Sequence, residues 1–215
     1  MPPTAEHPET RESTRTLILE AAERLFGSHG LESVSLRQIA AAAGGANPAA
    51  VQYHFGDKAG LLRAMFEHRV PQLDARRGEL LTAATIRGAI GDPGALLEVL
   101  LRPIAEMRDA EGRLSYASLL LALRRTALEV DPRHHPFDLG AVTRHVVDLL
   151  QVATGDWPLT WRSRRLFMAG TCFLDAVVDL DRQHAAGADL DIAFETVVGD
   201  ALRVAAAVIA TPPPA

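Results

Sequence analysis

The sequence of 215 residues has one cysteine, few aromatic residues and no long uninterrupted apolar run. A single thiol, Cys172, cannot form a disulfide within one chain, and its neighbours Phe173 and Leu174 indicate a packed helix face. No segment reaches the ~18 to 20 apolar residues that span a bilayer, so no membrane helix is predicted. The first ten residues lack the blocks of a signal peptide, and we expect a cytoplasmic protein.

The composition is rich in Ala and Leu and poor in β-branched runs, although 48% of the residues are hydrophobic. Such a composition favours a helical protein, and we expect an all-α fold without a sheet. The formal net charge of -5 excludes a chain that binds nucleic acid by overall charge. Residues 11–70 nevertheless carry seven Arg or Lys against six Asp or Glu, whereas 71–215 carry fifteen against nineteen. This asymmetry is a weak indication of an anionic partner at the N-terminal end.

Three helices are predicted within the first part of the chain. From Arg11, Ile18, Ala21, Ala22, Leu25 and Phe26 repeat with a helical period, and Gly30 supplies a stop. Ser35 and Gln38 form a capping box for a second helix, which ends at Gly44-Gly45. Asn47 caps a third, short helix with Pro48 at its first position.

The third helix divides its side chains between two sides. At 100° per residue, Val51 and Phe55 share one side, whereas Ala49 and Tyr53 lie roughly opposite with Gln52 beside them. The pattern predicts a helix anchored by two apolar residues that presents its other side chains to a partner. A capped helix, a glycine turn and such a short helix are typical of a helix-turn-helix, whose second helix enters the major groove of DNA.

The rest of the chain reads as helices separated by Gly, Pro and Asp. We expect a fourth helix capped by Asp57 that Pro71 kinks or ends. The helices predicted after it cover about 72–88, 93–109, 112–130, 137–153, 159–186 and 190–210. The predicted organisation is a tail at 1–10, a helix-turn-helix domain at 11–56 and a connecting helix at 57–70. A helical body follows at 71–210, and a second tail at 211–215.

The segment "TRTLILEAAERLFGSHGLESVSLRQIAAAAGGANPAAVQYHFGDKAGLLRAMFEHR" resembles the N-terminal domain of the TetR family of transcriptional regulators. The resemblance depends on three parts in order: the "AA..LF...G" helix, the Ser-x-Arg-x-Ile-Ala helix and "YHFG.K..L". The turn at Ala43-Gly44-Gly45-Ala46-Asn47 is one residue longer than the common Ala-Gly-Val-Asn type.

The resemblance implies an all-α homodimer, whose two heads bind a palindromic operator in double-stranded DNA, and a C-terminal part that holds a ligand pocket and a dimerising helix pair. Family members commonly repress and release DNA when a small molecule binds. The family's DNA contacts fall here on Ser35, Arg37, Asn47, Ala49, Gln52, Tyr53, His54 and Lys58. His54 as a structural histidine and Arg37 as a solvated charge remain open alternatives.

Candidates for the ligand site and for the dimer interface lie in the C-terminal helices. Large or polar residues within apolar helices predict a ligand site, with core packing as the alternative: Met107, Tyr116, Leu119, Leu123, Phe137, His145, Trp157, Trp161, Phe167 and Met168. The few charges there favour an apolar or weakly polar ligand. Wide apolar stripes predict a dimer interface: Phe173, Val177, Leu180, Val198, Ala201, Leu202 and Ala205.

Other classes of function find little support. His134 and His135 are adjacent and lack an i, i+4 partner, so with Asp131, Asp138 and His145 they do not predict a metal site. No nucleophile elbow, phosphate-binding glycine loop or carboxylate pair is present, so we expect neither an enzyme nor a cofactor. The alternative function is a helical interaction or adaptor protein whose head no longer binds DNA.

Overall fold

A computed structural model describes residues 8–45, 47–124 and 138–213. Within these ranges the chain forms nine α-helices and no β-strand, which confirms the predicted all-α fold. The helices are α1 (Pro8–His29), α2 (Leu36–Ala42), α3 (Pro48–Phe55), α4 (Lys58–Ile86), α5 (Pro93–Glu106), α6 (Ser115–Arg124), α7 (Ala141–Ala153), α8 (Leu159–Ala185) and α9 (Phe194–Ala210).

The first three helices and the start of α4 pack into a small N-terminal head. Ile18, Phe26 and Ile39 are fully buried there, and they meet Val51 from α3 and Met65 from α4. The residues that repeat with a helical period are thus the residues that the head buries. Helix α2 packs on α1, α3 packs on α2 and α4, and the outer faces of α2 and α3 remain in solvent.

Helix α4 continues through Pro71, so of the two expected outcomes, a kink or an end, Pro71 does not end the helix. The ring removes one backbone hydrogen bond, the one to the carbonyl of Glu67. Both Glu67 and Pro71 are exposed, so water can satisfy that carbonyl. The side chains of Arg69 and Leu73 are buried on either side of the proline and hold the helix in place. The predicted boundary at residue 70 therefore lies inside a single helix.

The remaining helices form a larger helical body around the second half of α4. Helix α8 packs along α9, and α5 packs against α4, α7 and α9. Leu97, Leu119, Phe173 and Val177 are fully buried in its core. The predicted helices 93–109, 159–186 and 190–210 agree with α5, α8 and α9 within four residues at each end.

The head and the body share a tight junction along α1, α4 and α6. A Cβ atom on Gly27 of α1 would lie 2.7 Å from the Cβ of Ser118 in α6, so only glycine fits at this approach. Beside it, the buried Arg69 of α4 forms two hydrogen bonds of 2.8 Å to the carboxylate of Glu23 in α1. Packing of α1 against α6 thus joins the head to the body, and the buried ion pair holds α1 to α4.

Candidate functional site

The helix-turn-helix of the head is specified by local caps. The Ser35 Oγ accepts a hydrogen bond from the Gln38 N–H at 3.3 Å, and the Gln38 side chain accepts one from the Ser35 N–H at 2.8 Å. In the following turn Gly44 and Gly45 have φ values of 85° and 80°, which side chains other than glycine rarely adopt. Two consecutive left-handed residues allow this turn to reverse the chain within a few residues.

Helix α3 buries one side and presents the other, as its sequence predicts. Val51 and Phe55 are buried, whereas Ala49, Gln52 and Tyr53 are exposed, and the Tyr53 side chain is 78% accessible. The Asn47 Oδ1 accepts a hydrogen bond from the Ala49 N–H at 3.0 Å, so Asn47 is the N-cap of α3. The exposed side thus carries small, amide and phenol groups, which can contact base edges and phosphates.

Three further predicted DNA contacts have different surroundings. The Arg37 side chain is exposed at the start of α2. His54 is partly buried, and its ring packs between Tyr53 at 5.4 Å and Phe55 at 6.0 Å between centroids. The Lys58 ammonium group donates to the Leu31 carbonyl at 2.8 Å, a contact that links α4 to the end of α1. Lys58 therefore also has a structural role, which its position at a helix start did not reveal.

A cavity of about 140 Å³ opens between α4, α5, α6, α7 and α8 of the body. Its walls are mainly leucine, valine and phenylalanine. The lining residues are Phe66, Val70, Leu73, Arg77, Leu100, Leu101, Ile104, Tyr116, Leu120, Leu123, Arg124, Leu139, Thr143, Val147, Leu166, Phe167, Gly170 and Leu174. A concave, mostly apolar site with a few polar groups has the character of a small-molecule pocket.

Only three of the predicted ligand residues, Tyr116, Leu123 and Phe167, line this cavity. Six others are absent from its lining: Met107, Leu119, His145, Trp157, Trp161 and Met168. Leu119 is fully buried in the core, and His145 and Met168 are exposed on helix surfaces. Phe137 lies outside the described residues. These six do not lie in this cavity, and the sequence does not indicate which way a large or polar side chain among apolar residues faces.

The sequence reasoning missed two arginines in the cavity lining. Burial lowers the pKa of Arg77, although the charge of Asp74 opposes this effect. Burial likewise lowers the pKa of Arg124 to about 10. The Tyr116 hydroxyl is buried, and desolvation raises its pKa, so it remains a neutral phenol. Because arginine is not deprotonated in proteins, both side chains bring a positive charge to the cavity wall.

The seven predicted dimer residues are all buried inside one chain. Phe173, Val177 and Ala205 have no accessible surface left for a second copy. The sequence prediction assigned the most apolar positions to an interface between chains, whereas the structure uses them to hold α8 and α9 to their own body. The exposed side chains on these helices include Met168, Cys172 and Val204.

Two classes of feature are not found in the part of the chain that the structure describes. No group of three or more His, Cys, Asp or Glu residues there could hold a metal ion. Asp138 instead bonds the Gly140 N–H and the Arg144 guanidinium, whereas Asp131, His134 and His135 lie outside the described ranges. No described helix is both long and apolar enough to cross a membrane.

The sequence of the helix-turn-helix region is similar to that of a known protein family. Residues 18–65 match the family of bacterial regulatory proteins, tetR family. A TetR family transcription regulator from Marinobacter aquaeolei VT8 superposes with a TM-score of 0.59 at 18% identity, over 94% of this chain and 98% of that one. The N-terminal head therefore matches the TetR family.

The chain is similar to two other TetR-type proteins. The HTH-type transcriptional repressor AcnR of Corynebacterium efficiens is 32% identical over 81 residues, which are 38% of this chain and 43% of that protein. The match thus spans less than half the length of this curated relative. The TetR-like regulator LfrR from Mycobacterium smegmatis, in complex with proflavine, has a TM-score of 0.56 at 20% identity, over 94% of this chain and 99% of that chain. The TetR match covers the head, whereas the body is similar to these structures in fold alone.

Proposed function

We propose that the protein is a transcriptional repressor that binds a DNA operator through α3 and releases it when a small molecule occupies the body cavity. The observation that carries the proposal is the two-sided α3, which buries Val51 and Phe55 and exposes Ala49, Gln52 and Tyr53 inside the segment matched by the TetR family model. A repressor must reach the DNA that it binds, so we place this protein in the cytoplasm. Like other members of a family of regulators, it is not an enzyme.

The proposed DNA contacts divide into two kinds. Ala49 and Gln52 address base edges, because a small side chain allows close approach and an amide can form a bidentate bond to adenine. Tyr53, His54, Ser35 and Arg37 contact phosphates, which position the head without reading the sequence. Asn47 caps α3, and Lys58 adds positive charge beside its bond to Leu31.

The operator is proposed to be palindromic because the protein acts as a homodimer. Two recognition helices that enter successive major grooves must lie about 34 Å apart. The exposed faces of α8 and α9 are the proposed contact between copies, so that four helices pack as a bundle. A change of a few ångströms in the spacing of the heads would then prevent both from engaging DNA.

Two helices can transmit ligand binding from the cavity to the head. Helix α4 lines the cavity through Phe66, Val70 and Leu73, and its first turns are buried in the head core. Helix α6 lines the cavity through Tyr116, and it contacts α1 where Ser118 meets Gly27. To reverse a 99:1 population, the ligand must prefer the released state by about 5.5 kcal/mol.

The first test of this function is DNA binding by the full chain. Fluorescence anisotropy with the upstream region of its own gene should show binding that survives random duplex as competitor. Affinity should fall steeply between two salt concentrations, because phosphate contacts release counterions. Failure to bind at low salt would contradict the repressor and favour the adaptor function, in which the head binds a protein.

Two substitutions then separate the proposed roles on α3. Gln52→Ala should reduce discrimination between operator and random DNA by about tenfold, because it removes a base contact. Tyr53→Phe should weaken binding to both DNAs by about fivefold, because it removes one phosphate hydrogen bond. Gln72→Ala changes an exposed glutamine on α4 outside the head and is the matched control. Equal loss of discrimination in both α3 variants would contradict the division.

A further inference from the structure

The charged groups that line the cavity in the described part of the chain are all of one sign. Two guanidinium groups, from Arg77 and Arg124, line it together with the hydroxyls of Tyr116 and Thr143, and none of the described lining residues carries a carboxylate. The other walls are hydrocarbon and aromatic. A buried charge is costly unless it is paired and hydrogen-bonded, so the partners of each arginine decide what the cavity can accept.

Arg77 has its acceptors within the protein. Its Nε and Nη2 donate to the Leu100 carbonyl at 3.3 and 3.0 Å, and its Nη1 donates to the Thr143 Oγ1 at 2.8 Å. The same threonine hydroxyl bonds the Asp74 carboxylate at 3.1 Å, and the Asp74 charge acts on Arg77. Arg77 is therefore part of a complete network that joins α4, α5 and α7.

Arg124 is held on one side only. Its Nη1 donates to the Phe167 carbonyl at 2.7 Å and to the Thr171 Oγ1 at 3.1 Å, and its guanidinium carbon lies 4.8 Å from the centroid of the Phe167 ring. Among the described residues no carboxylate pairs with it, and no acceptor lies within bonding distance of its Nε–H or Nη2–H groups. This partly buried cation thus lines the cavity without a carboxylate partner among the described residues.

The backbone of α8 leaves room for this guanidinium. A Cβ atom on Gly170 would lie 2.7 Å from the Arg124 Nη2, so any residue larger than glycine at position 170 would displace the guanidinium group. The Nη1 bonds and this close contact fix its position before a ligand arrives. An Nε–H and an Nη2–H group on the same side of a guanidinium match the two oxygens of a carboxylate.

We propose that the cavity binds a small amphipathic monocarboxylate, whose carboxylate pairs with Arg124 and whose apolar body packs against the leucine and phenylalanine walls. This inference rests on the proposed function, because it names the chemical class of the effector. A cavity of about 150 Å³ accommodates a molecule of the size of benzene, so the body is about one aromatic ring or an equivalent alkyl chain. The sequence predicted an apolar or weakly polar ligand, and this proposal adds a carboxylate group to it.

The test compares an acid with its neutral amide, without DNA. Isothermal titration calorimetry of the full chain with 3-phenylpropanoate and 3-phenylpropanamide should show a preference for the acid of about tenfold or more, as a charge-assisted pair provides. In Arg124→Gln this preference should disappear while the affinity for the amide stays unchanged. Unchanged amide binding shows that the variant is folded and its cavity intact.

The control is Arg203→Gln, which removes an equal charge from an exposed site on α9 outside the cavity lining. It should keep the full preference for the acid. Equal binding of acid and amide by the wild type would overturn the proposal. So would an Arg124→Gln variant that still prefers the acid, or one that loses both ligands alike, since a purely structural arginine would produce that loss.

A second arm separates this inference from the proposed repressor function. The acid is added to the protein bound to its operator, and release is measured by anisotropy. Acid that binds through Arg124 without releasing DNA would support the site and contradict the switch. If the protein binds its operator but calorimetry shows no preference for the acid, the DNA-binding function is supported and the carboxylate site is overturned.

Discussion

At the residue scale, the ion pair between Glu23 and Arg69 is a buried polar contact between α1 and α4. Both side chains are buried, with 1% and 8% of their surfaces accessible, and two bonds of 2.8 Å join them. Desolvation lowers the pKa of Arg69, but the hydrogen bond and the charge of Glu23 outweigh it and raise the pKa. The buried guanidinium of Arg69 is therefore stabilised by the carboxylate that faces it.

Arg69→Met should destabilise the protein by about 3–5 kcal/mol, because it leaves the Glu23 carboxylate buried and unpaired. The double variant with Glu23→Met should recover most of this loss, since no charge is then buried. Urea denaturation followed by circular dichroism measures both. Arg76→Met, which breaks the exposed pair with Glu106, is the control and should cost at most about 1 kcal/mol. Similar losses for Arg69→Met and Arg76→Met would refute the importance of burial.

At the scale of elements, α4 is the longest helix in the described part of the chain, and it reaches from the head to the cavity. It does so with a proline at its interior position 71, which gives up one backbone bond. Packing of neighbouring side chains, and not local propensity, therefore keeps the helix continuous. Tertiary contacts commonly override propensity in this way.

Pro71→Ala should stabilise the protein by about 1–2 kcal/mol, because alanine restores the bond to the Glu67 carbonyl at a small cost in unfolded-chain entropy. The comparison is Pro93→Ala at the first turn of α5, where proline loses no helical hydrogen bond. That variant should gain nothing and can lose a few tenths of a kcal/mol. Thermal and urea unfolding of both variants provide the measurement. A gain at position 93 equal to that at 71 would contradict this account of α4.

At the scale of the whole molecule, the proposed assembly depends on side chains that the single chain leaves exposed. Met168 and Val204 are 41% and 46% accessible, and Cys172 lies one turn after Met168 on α8. These apolar groups lie on the two helices whose other faces form the core of the body. They are the positions where a second copy can add buried apolar surface.

The combined change Met168→Asp and Val204→Asp should convert a dimer to a monomer, because it places charges in the proposed contact between copies. Sedimentation velocity at micromolar concentration measures the change, and circular dichroism checks that the helices remain. Val152→Asp alters an equally apolar residue on α7 that is 79% exposed, and it should leave the dimer intact. A wild-type monomer, or a dimer unaffected by the double change, would contradict the assembly.

The head could be predicted in detail because its signals are local. The Ser35 box, the Asn47 cap and the spacing of Val51 and Phe55 each act within a few residues, and each is present in the structure. The cavity could not be predicted, because its walls come from five helices distant in sequence. Tyr116, Leu123 and Phe167 were found as unusual residues in apolar helices, whereas Arg77 and Arg124 resemble ordinary solvated helix charges.

The sequence by itself determined the all-α fold, the capped helix-turn-helix and the resemblance of the head to the TetR family, because helical period, caps and motif order are properties of short segments. Only the tertiary structure decided that α4 runs through Pro71 and that Phe173 and Val177 face their own core. It also decided that Arg124 faces a cavity without a counter-ion among the described residues. The reason is physical: burial and pairing depend on which helices meet, and one helix does not specify its neighbours.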